Sequence, residues 1–223
     1  MTGLSFLACC VNMILIGTGG DGMPKDTFFN LDGAKQKKIF EAAVDEFSQR
    51  RFSEASINQV VKNAGISRGS FYQYFDNKED LYLYTLKQIG KEKLNIIGRV
   101  GELKPDADFF DGYMYMFRAA LEWSTAKPEY YRIGMLMELD DSRFVSELRK
   151  ASPEGFLMLK GMLEKDMQLG RIRDDVDAGL VVDIIYTLNL YLLTQYFKED
   201  NKAELTEKAE EVIRIIKEGI VRK

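Results

Sequence analysis

The chain of 223 residues has 46% hydrophobic and 30% charged side chains, a balance that predicts a soluble globular protein. Its cysteine content predicts a cytoplasmic location, and no metal or cofactor is expected. It has no histidine, and its two cysteines, Cys9 and Cys10, are adjacent, which excludes histidine-dependent nucleophilic chemistry, most zinc sites and a disulfide framework. The net charge of −4 is uneven: residues 25–75 carry eight basic and six acidic side chains (+2), residues 76–223 carry 23 and 28 (−5), and Asp21 supplies the remaining −1.

Residues 1–24 are expected to form an N-terminal extension outside the functional core. Leu4–Ile16 is apolar, but no Lys or Arg precedes Lys25, as a secretory signal would require. With 13 residues, this run is also too short to span a bilayer. We expect the functional start at Met23, which mass spectrometry of protein expressed from its native gene would test.

From Leu31 onward the hydrophobic pattern is helical, and no strand is predicted. A first helix is expected at about residues 31–50, with an apolar face formed by Ile39, Phe40, Ala43, Val44 and Phe47. A second helix is expected to begin at Ser56, whose hydroxyl would form a capping box with Gln59. It should end at Gly65, because glycine enters the left-handed conformation without steric cost.

A third, short helix is expected between the cap Ser67 and Phe75, so that Gly65-Ile66-Ser67 forms the turn of a helix-turn-helix. At 100° per residue its three rings, Phe71, Tyr74 and Phe75, face the other two helices. The opposite face carries small or polar side chains, namely Gly69, Ser70, Tyr72 and Gln73. The second helix of such a motif can enter the DNA major groove, so this face predicts DNA binding.

The chemistry of that face suits a duplex. Gln73 can bond bidentately to an adenine edge, the hydroxyls of Ser70 and Tyr72 can reach phosphate or bases, and Gly69 lets DNA approach the backbone. Arg68 lies in the first turn, where free N–H groups favour an anion. The candidate DNA-binding residues are Ser56, Ser67, Arg68, Gly69, Ser70, Tyr72, Gln73 and Lys78. Lys35, Lys37 and Lys38 form either a solvated helix face or a basic arm that reaches DNA.

The remainder of the chain is also predicted to be helical. Asp76-Asn77-Lys78-Glu79 opens a long fourth helix with a capping-box-like start. Further helices are expected at about residues 106–125, 129–139, 142–170, 174–198 and 202–221, with Pro105, Pro128, Pro153 and Gly170 breaking or starting elements.

Leu180–Phe197 is apolar nearly all round, which predicts a buried helix, and Asp183, Asn189 and Gln195 disfavour a membrane span. It belongs either to the core of a monomer or to a homodimer interface shared with the last helix. We favour the homodimer, because one short helix reads too few bases whereas a two-fold dimer reads two half-sites. The candidate interface residues are Ile184, Leu188, Tyr191, Leu192, Val212 and Ile216.

Twelve of the 29 residues 109–137 are aromatic or methionine. Such side chains fill ordinary cores, and they also line adaptable pockets for apolar or aromatic ligands. The candidate effector-pocket residues are Phe110, Tyr113, Met114, Phe117, Trp123, Tyr131, Met135 and Tyr186. No phosphate loop, metal-ligand spacing or carboxylate pair beside a nucleophile indicates an enzyme, so no catalytic residue is expected.

Residues 39–81 resemble the N-terminal DNA-binding region of the TetR family of bacterial regulators, most specifically in residues 64–75 and 77–81. The resemblance implies an all-α fold with a three-helix head, residues 25–76, and a larger helical body for effector binding and dimerisation, residues 77–223. It also implies a repressor that a small molecule releases from a palindromic double-stranded DNA operator. The alternatives are an activator of the same architecture, or a helical ligand-binding protein or enzyme that does not bind DNA.

Overall fold

The computed structural model describes residues 24–97, 106–151, 154–196 and 202–221, which form eleven α-helices and one isolated antiparallel bridge between Ile172 and Val221. The first four helices are α1 (Asp26–Phe29), α2 (Gly33–Gln49), α3 (Ile57–Ala64) and α4 (Arg68–Tyr74). The others are α5 (Lys78–Ile97), α6 (Phe109–Ala126), α7 (Pro128–Glu138), α8 (Arg143–Ala151), α9 (Glu154–Gln168), α10 (Ala178–Tyr196) and α11 (Lys202–Ile220). The predicted all-α class is confirmed.

Several expectations lie outside the described residues, including the extension up to Met23 and the breaks at Pro105 and Pro153. Within the described ranges, no helix combines the length and hydropathy needed to cross a bilayer. In the same ranges, no three His, Cys, Asp or Glu side chains cluster as metal ligands would.

Helix α2 confirms the first predicted helix and its apolar face. The side chain of Asp32 caps it by accepting a hydrogen bond from the Lys35 N–H at 2.9 Å. Four of the five predicted face residues are buried, and Phe40 is partly buried against the same core. This helix is the scaffold on which the next two helices rest.

The capping box predicted at the start of α3 is wrong. Ser56 precedes the helix, but its side chain makes no capping bond, and the Gln59 amide instead donates to Asn63 Oδ1 at 2.8 Å. The N–H of Ser56 donates to Glu46 Oε1 at 2.8 Å. Glu46 is only 3% exposed, and a buried carboxylate requires donors, so it takes the N–H that the box would have used. Gly65 ends α3 at φ +67°, as predicted.

The predicted starts of α4 and α5 are confirmed. Ser67 Oγ accepts the N–H of Ser70 at 3.0 Å and so caps α4. At the start of α5, Asn77 Oδ1 accepts the N–H of Asp80 at 2.8 Å, and Asp80 Oδ2 accepts the N–H of Asp76 at 3.0 Å. The arrangement is similar to a capping box, except that Asp80 accepts the N–H of Asp76, the residue before the cap, and not that of Asn77.

Two features of the helix pattern differ from expectation. The single helix predicted over residues 142–170 is described as two helices, α8 and α9. Helix α1 was not predicted, because four residues are too few to show a 3.6-residue period. Its Phe28 is nevertheless fully buried.

One hydrophobic core joins the first four helices to the rest of the chain. It contains the buried rings of α1, α2 and α4, and it continues through Trp123, Ile133, Met137 and Val145 of α6, α7 and α8. A second core lies within the remaining helices. The boundary predicted at residue 76 is therefore crossed by a shared hydrophobic core.

A buried carboxylate also links the α2–α3 loop, residues 50–56, to the body. Asp140 is fully buried, and its two oxygens accept the N–H groups of Ser53 at 2.8 Å and Ser142 at 2.9 Å. Burial alone would raise the pKa of Asp140, but hydrogen bonds from Ser142 and Ser53 outweigh it and hold the pKa below its usual range. Beside this link, the rings of Phe52 and Phe144 lie 4.7 Å apart.

Candidate nucleic-acid interface

Helix α4 separates its rings from its small and polar side chains as the sequence predicts. Phe71 and Phe75 are fully buried, and Tyr74 is 6% exposed. On the opposite side, Tyr72 is 41% exposed, and Arg68, Gly69 and Gln73 are exposed as well, while Ser70 is partly buried. The outer face of α4 is therefore solvent-accessible, with no aliphatic or acidic side chain on it.

The positive charge on this face lies beside the exposed ring. The Arg68 Cζ atom is 5.9 Å from the centroid of the Tyr72 ring, and Arg68 Nη2 is 3.5 Å from the Tyr72 hydroxyl, the neighbour one helical turn away. The Ser67 and Ser70 hydroxyls lie 2.9 Å apart, so capping already engages both serines. The groups left to meet a ligand are the guanidinium, the phenol and the Gln73 amide.

Gly69 leaves room on the outer surface of α4. A Cβ added at this position would meet only Ser67 Oγ, at an ordinary contact distance of 3.7 Å. The fold does not require glycine here for packing, and φ is not positive. The absence of a side chain is consequently available for close approach of a ligand to the helix backbone.

Gly69→Ala is expected to separate folding from binding. Alanine should raise the free energy of unfolding by up to about 1 kcal/mol, because it is the better helix former. It should weaken operator binding by about 1–3 kcal/mol, the usual cost of losing one specific contact. Urea unfolding and fluorescence anisotropy measure the two effects. Gly161→Ala, a change in helix α9 where a Cβ also has open space, is the control, and unaltered operator affinity of the Gly69 variant would contradict the role of Gly69.

The Lys78 side chain does not point outward, as a phosphate contact would require. Its ammonium donates to the carbonyls of Phe52 at 2.6 Å, Ala55 at 3.0 Å and Ser53 at 3.4 Å, and it lies 4.5 Å from the Phe52 ring centroid. Burial lowers the pKa of Lys78, and nearby Glu79, among other carboxylates, partly offsets that effect. Since the three donors of an ammonium are all engaged, Lys78 holds the α2–α3 loop and does not face outward.

The C-terminal end of α4 has partners that sequence reasoning missed. Residues 25–28, which we call the N-terminal clamp, donate hydrogen bonds to successive carbonyls of its last turn. These contacts join residues 46–49 positions apart, so no local periodicity reveals them. The other predicted DNA-binding residue outside α4, Ser56, is exposed at the start of α3.

Residues 39–85 match the sequence profile described as "Bacterial regulatory proteins, tetR family". A TetR-family transcriptional regulator from Chloroflexus aurantiacus J-10-FL is 27% identical, with a TM-score of 0.67 over 90% of this chain and 100% of that one. The head of this chain therefore contains a TetR-family DNA-binding domain. The "Fatty acid metabolism regulator protein" of Bacillus subtilis (strain 168) is 25% identical over 83% of this chain and 95% of its own length. FadR from Bacillus subtilis, solved in complex with stearoyl-CoA, is 21% identical with a TM-score of 0.66, covering 82% of this chain and 98% of FadR.

The chain is a transcriptional regulator with a TetR-type helix-turn-helix DNA-binding head and a helical body. The geometry agrees with that function, because α4 is the second helix of the motif and its outer face is exposed to solvent. The outer face carries one arginine and no carboxylate, so the local charge suits a phosphate backbone although the whole chain has a net charge of −4.

The body of the chain exposes an apolar stripe on α10. The stripe, at spacings of four, four and three residues, consists of Leu180 (58% exposed), Ile184 (41%), Leu188 (37%) and Tyr191 (59%). Three of the six predicted interface residues lie on it. Leu192 does not, because it is 7% exposed and faces the body core, and Val212 and Ile216 are partly buried against the same core. On α11 the exposed aliphatic residue is Ile215, at 59%.

The residues predicted to line an effector pocket do not form one group. Phe110, Tyr113, Met114, Phe117 and Met135 belong to the body core, whereas Trp123 belongs to the core shared with the head. Tyr131 packs against both cores, and Tyr186 is 5% exposed. Phe110 lines a cavity of about 250 Å³ whose other walls include charged side chains, Asp108, Asp166 and Lys217 among them.

Proposed function

We propose that this regulator is a repressor that binds a palindromic operator as a homodimer and leaves it when an apolar small molecule occupies the body. The observation that carries the proposal is the outer face of α4, where exposed Tyr72 and Gln73 stand above a fully buried Phe71. Head and body are assigned to residues 25–76 and 77–223. The proposal assigns no catalytic residue.

The residues of the interface have distinct roles in this proposal. Gln73 and Tyr72 contact bases, Gly69 allows the backbone to approach the groove, and Arg68 and Ser56 contact phosphates. Ser67 and Ser70 cap α4 and lie at the edge of the interface. Lys78 supports the interface from within by holding the α2–α3 loop.

Gln73→Ala tests the proposal directly. The variant should lose about 1–3 kcal/mol of specific affinity, roughly 5-fold to 150-fold, while its affinity for random duplex is unchanged. The operator would be selected from a random duplex library with the wild-type chain, and affinities measured by anisotropy. Gln49→Ala, an exposed glutamine on α2, is the control. Equal operator affinities for both variants would contradict the assignment of α4.

Repression is distinguished from activation by transcription in vitro from a promoter that carries the selected operator. A repressor lowers transcript yield as protein is added, and the yield recovers when the effector is present. A yield that rises with protein would identify an activator of the same architecture.

The homodimer is proposed to form through the α10 stripe and Ile215. An apolar stripe of four large side chains is costly to leave in water, and a second copy of the same stripe covers it symmetrically. Two heads are also what a palindromic operator requires.

The effector is proposed to bind in the body core beside a buried polar pair. The Asn189 amide nitrogen donates to the Tyr113 hydroxyl and to the Ile185 carbonyl at 2.7 Å, while Asn189 Oδ1 accepts no hydrogen bond within the described residues. Leaving a buried acceptor unpaired costs about 1–3 kcal/mol. A ligand that donates to this oxygen would remove that cost. Burial raises the pKa of Tyr113 far above its usual value, so its hydroxyl stays protonated and available to a ligand.

Stearoyl-CoA is the first effector probe, because FadR from Bacillus subtilis was solved in complex with it. We expect it to raise the melting temperature and to release the selected operator, whereas coenzyme A alone does neither. Asn189→Leu should weaken both responses without loss of operator binding. No response to stearoyl-CoA would reject the acyl thioester class and leave the DNA-binding assignment untouched.

A further inference from the structure

The last turn of α4 is capped by the N-terminal clamp. Lys25 Nζ donates to the Tyr72 carbonyl at 3.0 Å, the Lys25 N–H donates to the Tyr74 carbonyl at 2.8 Å, and the Thr27 hydroxyl donates to the Gln73 carbonyl. The last carbonyls of any helix lack intrahelical donors. Here Lys25 and Thr27 of the clamp supply donors to three successive carbonyls.

The clamp is itself fixed to the head. Phe28 is fully buried, with its ring 5.1 Å from Phe75 and 5.0 Å from Tyr84. Lys25 Nζ lies 2.5 Å from Asp76 Oδ1, at the junction between α4 and α5. The donors that reach α4 are therefore held by a packed ring and an ion pair.

Helix α4 depends on such support because of its length. It has seven residues, far fewer than an isolated helix needs to be stable in water. The Lys25 ammonium also lies at the helix C-terminus, where the dipole favours a positive charge. Tyr72 and Gln73, which carry the proposed base contacts, have their own carbonyls in this capped turn.

We propose that Lys25 and Thr27 are positioning residues for DNA recognition, which hold the last turn of α4 in the conformation that reads the operator. This inference rests on the proposed function of α4. When the clamp is weakened, the last turn frays in part of the population, and operator affinity falls by the fraction that stays competent. Binding to random duplex depends on phosphate contacts and is not affected.

Direct contact of Lys25 with a phosphate is the competing explanation for any loss at this residue. A phosphate contact contributes to the salt dependence of binding, and removing it lowers the slope of log K against log[salt] by about one. A positioning residue leaves that slope unchanged. Thr27 distinguishes the two most clearly, because it carries no charge.

The experiment compares Thr27→Val with Thr27→Ser in the full chain, with Lys25→Met alongside. Anisotropy at several salt concentrations gives operator and random-duplex affinities. Amide hydrogen exchange reports fraying at Tyr74 and Phe75. All assays are run well below each variant's melting temperature, so that global unfolding does not contribute.

We expect Thr27→Val to weaken operator binding about 3-fold to 10-fold, the worth of one hydrogen bond, with an unchanged salt slope and faster exchange at the end of α4. Thr27→Ser should restore wild-type behaviour. Lys25→Met should weaken operator binding at least as much, also without a change in slope.

Three results would overturn the inference. One is wild-type operator affinity for Thr27→Val. Another is an equal loss in Thr27→Val and Thr27→Ser, which would remove the hydroxyl from the explanation. The third is a slope lowered by about one in Lys25→Met, which identifies a phosphate contact. If Gln73→Ala in the same assay loses affinity while Thr27→Val does not, the clamp fails alone. If neither loses affinity, the assignment of α4 fails as well.

Discussion

A chain carrying Ile184→Glu and Tyr191→Glu is expected to be monomeric. It should bind its operator about 10²–10⁴-fold more weakly than the wild type, which is the gain in affinity that linking two binding modules provides over one module. Both side chains are exposed in the protomer, at 41% and 59%, so their replacement leaves the body core intact. In a symmetric interface each substitution buries two glutamates, one from each protomer, and a buried unpaired carboxylate is strongly unfavourable.

Light scattering gives the mass of the double variant, and anisotropy gives its affinity for a full operator and for a single half-site. Leu169→Glu serves as the control, because Leu169 is 56% exposed and lies outside the α10 stripe. A double variant that remains dimeric and binds normally would show that the stripe is not the interface.

Phe28→Ala is expected to lower the free energy of unfolding by about 3–5 kcal/mol, the usual cost of deleting a buried phenylalanine ring. The ring is fully buried against Tyr74, Phe75 and Tyr84, and no neighbour can fill the cavity without leaving its own contacts. The loss is a large part of the 5–15 kcal/mol that stabilises a typical protein.

Urea unfolding measures this effect, and the adjacent phenylalanine provides a matched control. Phe29 is 49% exposed, so Phe29→Ala should cost less than about 1 kcal/mol. Similar losses in the two variants would show that α1 is not anchored as described. Phe28 precedes the residues that match the family profile, so the folded head extends beyond that match.

The face of α4 could be predicted because its causes are local. Three rings on one side of a short helix and small polar groups on the other leave one orientation that buries the rings. The caps at Ser67 and Asn77 are local in the same sense, since each joins residues three positions apart. The end of α3 at Gly65 has a local cause as well, because glycine adopts a positive φ without steric cost.

The errors have a common physical origin in contacts between distant residues. Lys78 was predicted to meet phosphate, but its ammonium donates hydrogen bonds to carbonyls 23–26 residues earlier in the chain. The Ser56 N–H, which Gln59 was predicted to accept, is accepted by Glu46, ten residues away. In both cases the partner is set by tertiary packing, which a single sequence does not display.

Helix α10 shows a second reason why the sequence-based prediction was incomplete. It is apolar nearly all round, and its few polar residues give a conflicting signal for which side faces the protomer core, because Asp183 and Thr187 are exposed whereas Asn189 is buried. The structure turns Leu192 inward and Tyr191 outward, although both are large side chains. A helix with one polar face does not have this ambiguity, because the polar face turns toward solvent.

The α2–α3 loop is held from two directions at once, and this limits how the two heads of a dimer can move. At the start of α5, Lys78 donates hydrogen bonds to carbonyl oxygens of the loop. At the corner between α7 and α8, Asp140 accepts a hydrogen bond from the Ser53 N–H. A shift of about 1 Å at either point would break a hydrogen bond, so we expect head and corner to move together. In the proposed homodimer, the spacing of the two α4 helices would then be set far from DNA, by the tilt of one protomer against the other.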